Sequence, residues 1–134
     1  MNKKHINYLS IQPSQFHLSL NKIAKIKNWF NPEDLSNFEP VPIKVIDGKV
    51  IFTDGHTRAF VAFSYGLKKI PTTFEKDVLD WDMYKCCIDA CRQKGIYTIK
   101  DLETEILDEI DYDLKWNKWC DAMQKSVLKK RRKE

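Results

Sequence analysis

The spacing of apolar residues changes several times within the first half of the chain, as it does where strands and helices alternate. Apolar residues between Ile6 and Phe16, interrupted by Pro13, predict a short edge strand that runs into a turn. A helix is predicted next, with Ser19 as its N-cap and Asn31-Pro32 as its end. The residues near helical spacing are Leu20, Ile23, Ile26, Lys27 and Phe30.

A β-hairpin is the clearest local pattern in the chain. Apolar residues alternate along residues 41–45, Asp47-Gly48 supplies a two-residue turn, and residues 50–52 continue as the second strand. A second helix is predicted after it, ending near Gly66. Its apolar stripe consists of Ala59, Phe60, Ala62, Phe63 and Leu67. Residues 70–74 then predict a returning strand.

In the second half the apolar spacing is wholly helical. Three amphipathic helices are predicted, the first ending at Gly95 and the second beginning with the capping box Thr98–Asp101. The apolar stripe of the first helix consists of Met83, Cys87, Ala90 and Cys91. That of the second consists of Ile99, Leu102, Ile106 and Ile110, and that of the third of Trp116, Trp119, Cys120, Met123 and Val127. An amphipathic helix must bury its apolar face, so these helices are expected to pack on the first half. The sequence therefore predicts an α+β fold made of a domain, a helical extension and a basic tail: residues 1–76, 77–128 and 129–134.

The formal net charge of +4 resides in the C-terminal tail. Residues 129–134 contain five basic residues and one acidic residue, so residues 1–128 balance at 18 basic and 18 acidic residues. Because residues 1–128 have no net charge, they lack the excess of positive charge with which proteins bind a polyanion, so a nucleic-acid partner is not expected. A short terminal run of charge is more typical of a solvated, frayed end.

Apolar run length and cysteine spacing exclude two further classes of protein. No stretch approaches the roughly 18 consecutive apolar residues of a membrane span, and the first residues lack a signal-peptide apolar region. We therefore expect a cytoplasmic protein with no membrane partner. The four cysteines form no Cys-x-x-Cys pair, and adjacent Cys86 and Cys87 pair poorly, so reduced thiols are expected rather than disulfides or a zinc site.

Candidate chemistry is concentrated in Asp54-Gly55-His56-Thr57-Arg58, where a strand ends and a helix begins. The first N–H groups of a helix have no internal partner and lie at the positive end of its dipole, so this loop is suited to a phosphate. Gly55 allows close approach, Thr57 offers a hydroxyl, and Arg58 offers a guanidinium that can bind two phosphate oxygens. His56 can donate or accept a hydrogen bond near neutral pH.

Asp54 has three open roles, because a carboxylate disfavours a bare phosphate. It can hold Mg²⁺, act as a base toward an acceptor hydroxyl, or cap the helix. In the last case the loop is an ordinary capped turn with Arg58 facing solvent. Upstream, Gln15 or His17 could line a pocket at this loop or lie at the surface.

The wider run of motifs resembles the ParB/sulfiredoxin superfamily over roughly residues 6–76. The matching segments are Glu39–Val45, Val50–Ala59, Gly66-Leu67 and Ile70-Pro71. The resemblance implies a small mixed sheet with packed helices and a bound nucleotide, ATP, ADP or CTP, with Mg²⁺ as a further expected cofactor. Gly55 and Arg58 match the glycine and arginine of the family's loop, and the loop is most similar to the Asp-Gly-His-His-Arg loop of its free serine kinase branch.

Two departures limit which reaction the resemblance implies. Sulfiredoxin has its essential cysteine where this chain has His56, so sulfinic acid reduction is not expected. ParB proteins have a second arginine in place of Thr57 and continue into a helix-turn-helix, whereas the helical half of this chain is acidic.

Three functional hypotheses follow. The first is a Mg²⁺-dependent phosphotransferase or nucleotide hydrolase, with Asp54 and His56 as catalytic residues, Asp54 as metal ligand, and Gly55, His56, Thr57 and Arg58 as nucleotide ligands. The second is a non-catalytic nucleotide-sensing module whose helical half binds a protein partner or a second copy; an exposed Trp116 or Trp119 would favour it. The third, ParB-like DNA binding through residues 129–133 and the helices before them, is disfavoured by the charge distribution.

Overall fold

The structure is a computed structural model that describes residues 7–133. Its strands are β1 (Leu18–Ser19), β2 (Val41–Ile46), β3 (Lys49–Phe52), β4 (Thr72–Phe74) and β5 (Ile106–Leu107). Its helices are α1 (Leu20–Trp29), α2 (His56–Ser64), α3 (Trp81–Gln93), α4 (Glu109–Tyr112) and α5 (Lys118–Lys133). Small sheets combined with helices that are mostly separate from them confirm the α+β class. Within residues 7–133, no helix is both long and apolar enough to cross a membrane.

A three-stranded mixed sheet in the order β3-β2-β4 carries the candidate loop. The predicted hairpin is confirmed: β2 and β3 are antiparallel, and Asp47 and Gly48 both have positive φ, as the two-residue turn that joins such strands requires. β4 is the predicted returning strand and pairs with β2 in parallel. Helix α2 connects the hairpin to β4, so its N-terminus lies just beyond the end of β3.

Helices α1 and α2 begin and end as the sequence predicts. The Ser19 hydroxyl accepts a hydrogen bond from Lys22 N at 3.3 Å and caps α1. Gly66 N donates to Phe63 O at 2.9 Å just after α2 ends. Four consecutive residues of α2 are buried, namely Ala59, Phe60, Val61 and Ala62. They pack into one core with the inward side chains of the sheet, including Val41, Ile43 and Phe52.

The predicted edge strand in residues 6–16 is largely wrong. Its first residue lies outside the described residues, Tyr8–Ser10 forms a 3-10 turn, and the only ladder contact of the segment within the described chain is an isolated parallel bridge between Gln12 and Ile51. Pro13 has no N–H and cannot extend that ladder, which accounts for the difference.

The second predicted helix of the extension is also wrong as a continuous helix. The capping box exists, with Thr98 N donating to Asp101 Oδ2 at 3.0 Å, but it opens a 3-10 segment that ends at Thr104. Ile106 then pairs with Leu18, so β5 runs parallel to β1. A strand partner available only in the tertiary structure has overridden the helical spacing of the apolar residues.

Helices α3 and α5 confirm the first and third predicted helices. A π-helical turn at Asp113–Asn117 joins α4 to α5 and contains Trp116. The Trp116 ring packs edge-on against the Phe16 ring, with the ring centroids 4.9 Å apart. Trp119 contacts the same Phe16 ring, also at 4.9 Å. The extension therefore packs on the first half through aromatic contacts.

Candidate functional site

The loop between β3 and α2 is not capped by Asp54, contrary to the capped-turn alternative. Gly55 is the N-cap residue of α2, and within the described chain no side chain caps this helix. The Asp54 carboxylate instead accepts a hydrogen bond from Gly55 N at 2.8 Å. The first amide of the helix with an internal acceptor is that of Ala59, which donates to Gly55 O at 3.0 Å. The N–H groups of residues 56–58 therefore have no acceptor among residues 7–133 and can bind a ligand.

Arg58 lies back against the loop and is partly exposed. Gly55 has φ of 71°, and a Cβ atom there would lie 2.8 Å from Arg58 Nη2 and 3.1 Å from Val41 Cγ1. The guanidinium makes one long contact, from Nη2 to Pro40 O at 3.4 Å, and its buried Nε has no partner among residues 7–133. A buried donor without an acceptor is costly, so Arg58 is poised to bind an anion.

The expected catalytic role of His56 does not fit its surroundings. The side chain is only 3% exposed, and Nε2 accepts a hydrogen bond from Ser14 N at 3.0 Å. Burial lowers the pKa of His56 to about 4, and the nearby Asp54 charge opposes this only in part. At neutral pH the ring is uncharged, with its proton on Nδ1, and it joins Ser14 to the loop. We therefore assign His56 a positioning role.

Two lysines that sequence reasoning did not select complete a cleft with the loop. This cleft, called here the cationic cleft, has a volume of about 300 Å³. It is lined by Gln15, Lys22, Lys25, Ile26 and the loop residues Asp54, Gly55, His56, Thr57 and Arg58. Lys22 and Lys25 are three residues apart on α1 and so share a face beside the buried Ile23. That spacing was visible in the sequence, but nothing there indicated that α1 faces the loop.

A second cleft, called here the apolar cleft, also includes Asp54 in its lining and has a volume of about 340 Å³. It is lined by Ser14, Gln15, Thr53, Asp54, His56, Leu79, Asp80, Met83, Tyr84, Cys87, Trp116, Cys120, Met123 and Gln124. Burial raises the pKa of Cys87 to about 12 and that of Cys120 to about 11, so both thiols are uncharged at neutral pH. Three residues line both clefts: Gln15, Asp54 and His56.

Asp54 is the exposed carboxylate at the junction of the two clefts. Among residues 7–133, no group of three or more histidine, cysteine, aspartate or glutamate side chains could hold a metal ion. Mg²⁺ commonly binds one or two carboxylates and completes its shell with water and substrate phosphates. Asp54 therefore fits Mg²⁺ that arrives with a phosphate ligand, and does not fit a metal held by protein side chains alone.

Of the two upstream candidates, Gln15 lines both the cationic and the apolar cleft. Its Nε2 donates to His17 O at 2.8 Å and to the Tyr112 hydroxyl at 3.0 Å, which fixes the amide in place. His17 contacts Glu105 O instead, at 3.3 Å, and lines neither cleft.

Comparison of the chain with family models, with curated proteins and with solved structures gave no match. The resemblance to the ParB/sulfiredoxin superfamily therefore stays a prediction.

Proposed function

We propose that this chain binds a nucleotide and that the phosphate groups occupy the cationic cleft. Lys22, Lys25 and Arg58 line this cleft together with the uncapped first turn of α2. Phosphate oxygens accept charge-assisted hydrogen bonds, and a helix N-terminus beside an arginine suits them in both charge and geometry. The meeting of α1 lysines and α2 amides in one cleft is the observation that carries the proposal.

A polyphosphate ligand matches the charge of the cationic cleft better than a ligand with a single carboxylate would. Among the described residues, the lining contains three cationic side chains and one carboxylate, Asp54, so it has an excess of positive charge. The resemblance of residues 6–76 to the ParB/sulfiredoxin superfamily supports a nucleotide as the source of the polyphosphate, because members of the superfamily use CTP, ATP or ADP through the corresponding loop. Mg²⁺ bound with the phosphates would be held by Asp54 and would neutralise phosphate charge close to that carboxylate.

Phosphoryl transfer or nucleotide hydrolysis is the activity proposed for this site. Arg58 and the first-turn amides are positioned to stabilise charge on a transferred phosphoryl group. Asp54 is exposed and borders both clefts, so it can bind Mg²⁺ or take the proton of an acceptor hydroxyl. His56 supports this arrangement by fixing the loop and takes no proton at neutral pH.

A nucleotide-sensing module without turnover is the second candidate, and the environment of His56 favours it. With His56 assigned to positioning, Asp54 is the one proton acceptor left among the two catalytic candidates. An interface through exposed tryptophans is not favoured, because Trp116 and Trp119 are both half-buried against Phe16. DNA binding through the tail stays third.

Calorimetric titration tests the proposal, using ATP, ADP, CTP, GTP and inorganic tripolyphosphate, each with and without Mg²⁺. Arg58→Ala is expected to weaken binding roughly tenfold or more, as the loss of a charge-assisted contact implies. Lys22→Ala and Lys25→Ala should each weaken it by a smaller factor. Lys27→Ala is the matched control, since Lys27 lies exposed on the same helix and lines neither cleft. Equal effects of all three lysine variants, or no binding to any ligand, would contradict the proposal.

Turnover separates the enzyme from the sensing module. Asp54→Asn should abolish phosphate release from a bound nucleotide while nucleotide binding persists, because the amide can neither hold Mg²⁺ strongly nor accept a proton. Phosphate release by the wild type that Asp54→Asn leaves unchanged would exclude Asp54 from the chemistry. A wild type that binds nucleotide but releases no phosphate would exclude nucleotide hydrolysis and leave phosphoryl transfer to an acceptor hydroxyl or a sensing module.

A further inference from the structure

The apolar cleft is built mainly by the helical extension, which lies outside the segment that resembles a known superfamily. Leu79, Met83 and Tyr84 contribute from α3 and the turn before it, while Trp116 and Met123 contribute from the π-helical turn and α5. Among the described residues, the lining contains no lysine or arginine, and it includes the carboxylates of Asp54 and Asp80. A negatively charged ligand group would find no cationic partner here, so the phosphates of a nucleotide are not expected in this cleft and its base, which carries no negative charge, is compatible with it.

The size and lining of this cleft suit an aromatic ring. Its volume of about 340 Å³ falls within the range of small-molecule sites. Thioethers are soft and polarizable, so Met83 and Met123 can contact the faces or edges of a ring. Trp116 offers an indole whose position is fixed by its edge-on contact with Phe16 and by stacking on Trp119, with centroids 5.7 Å apart.

Polar groups at the junction can bind the atoms that join a base to its phosphates. Gln15 Nε2 is already engaged with two acceptors, and no donor among residues 7–133 reaches Gln15 Oε1. Gln15 Oε1 and the exposed Asp54 carboxylate are thus two acceptors at the boundary between the clefts. The hydroxyl groups of a ribose are donors of the kind that such acceptors bind.

We propose that the apolar cleft binds the base of the nucleotide whose phosphates occupy the cationic cleft, with the ribose beside Gln15 and Asp54. This inference rests on the proposed function and extends it to the helical half. Helix α5 then forms one wall of the site, and Arg131 holds it in place through two contacts with the Asp80 carboxylate, at 2.7 and 2.8 Å. Asp80 itself lines the apolar cleft and caps α3.

Titration with ATP, CTP and tripolyphosphate distinguishes base binding from phosphate binding. The wild type should bind at least one of the two nucleotides about tenfold more tightly than tripolyphosphate, the order expected when a base stacks on an aromatic side chain. Met123→Trp, which fills the cleft, should reduce nucleotide affinity to nearly that of tripolyphosphate and leave tripolyphosphate binding unchanged. Val127→Trp is the matched control, because Val127 is half-buried one turn further along α5 and does not line the cleft.

Tryptophan fluorescence supplies an independent signal, since Trp116 lines the cleft and the chain has four tryptophans. The nucleotide should quench the emission, tripolyphosphate should not, and Trp116→Phe should remove the effect. If Met123→Trp also weakens tripolyphosphate binding, this quenching decides in favour of base binding, and its absence decides against it.

Three results would overturn the inference. Equal affinity of wild type for both nucleotides and tripolyphosphate would leave phosphate binding intact and show that the base makes no contact. A nucleotide preference that Met123→Trp leaves unchanged would place the base elsewhere. Failure of all three ligands to bind would overturn the proposed function together with this inference.

Discussion

Acid should destabilise this protein through His56, because the folded chain keeps the imidazole uncharged. The ordinary pKa of about 6.5 applies to the unfolded chain, whereas burial lowers the folded pKa to about 4. Between these two values the unfolded chain binds a proton at His56 that the folded chain does not bind. The stabilisation is therefore complete above about pH 6.5 and is lost progressively as the pH falls to about 4.

The size of this effect follows from the difference between the two pKa values. Each pKa unit corresponds to about 1.4 kcal/mol, so a change from 6.5 to about 4 amounts to roughly 3 kcal/mol of folding free energy. A small domain is typically stable by only about 5–15 kcal/mol, so the loss is readily measured. Carboxylates also titrate in this pH range, which makes a difference between two variants the appropriate measurement.

Urea unfolding at pH 7, 6, 5 and 4 would compare wild type with His56→Gln, which cannot gain a proton. His56→Gln should be less stable at pH 7, and the gap should shrink by roughly 3 kcal/mol as the pH falls to 4. His17→Gln is the control: burial lowers the pKa of His17 too, but it is partly exposed and should change the pH dependence less. Parallel pH curves for wild type and His56→Gln, or an imidazole of folded His56 that titrates near its ordinary pKa by NMR, would refute the assignment.

Three other regions of the chain give further predictions. Gly55→Ala should lower the free energy of unfolding more than Gly48→Ala does, since both have positive φ but only Gly55 would bring a Cβ against Arg58; equal losses in urea unfolding would contradict this. Arg131→Ala should speed tryptic cleavage in α5, because it removes the contacts to Asp80 and Asp82; an unchanged cleavage rate would show that other contacts hold the helix. Cys91 is fully buried and burial raises its pKa to about 12, so iodoacetamide should label it only after unfolding; rapid labelling of the native protein, read by mass spectrometry, would be inconsistent with this burial.

Local patterns predicted the elements that carry the loop. The alternation in residues 41–52, the Asp47-Gly48 turn and the Ser19 cap involve neighbours in the chain, and all three match the structure. The pairing of β5 with β1 depends instead on two segments nearly ninety residues apart, and no local periodicity encodes it. The same limit applies to the predicted strand at residues 6–16, for which Pro13 was the one local warning.

The candidate site was predicted only in part, for a related reason. The sequence indicated the loop itself, but the environment of each side chain depends on what packs against it. From the sequence alone, His56 is a residue that can titrate near neutral pH. In the fold it accepts a hydrogen bond from Ser14 N and lies in the core, where burial lowers its pKa. Lys22 and Lys25 are an ordinary exposed helix face until α1 lies opposite the loop. Both facts belong to the tertiary structure.

The helical extension lines the candidate site and contributes to the core. Cys91, Ile96, Ile99 and Leu102 belong to the same buried cluster as the sheet and α2. The Tyr84 hydroxyl of α3 donates a hydrogen bond to Thr53 O at 2.8 Å, which fixes the residue that precedes the candidate loop. Because α3 holds the loop and α5 closes the apolar cleft, ligand binding at the loop and the packing of the extension should depend on each other. Under the proposed function, a partner that displaced α5 would then alter nucleotide affinity, so that a nucleotide-binding enzyme could also respond to a partner.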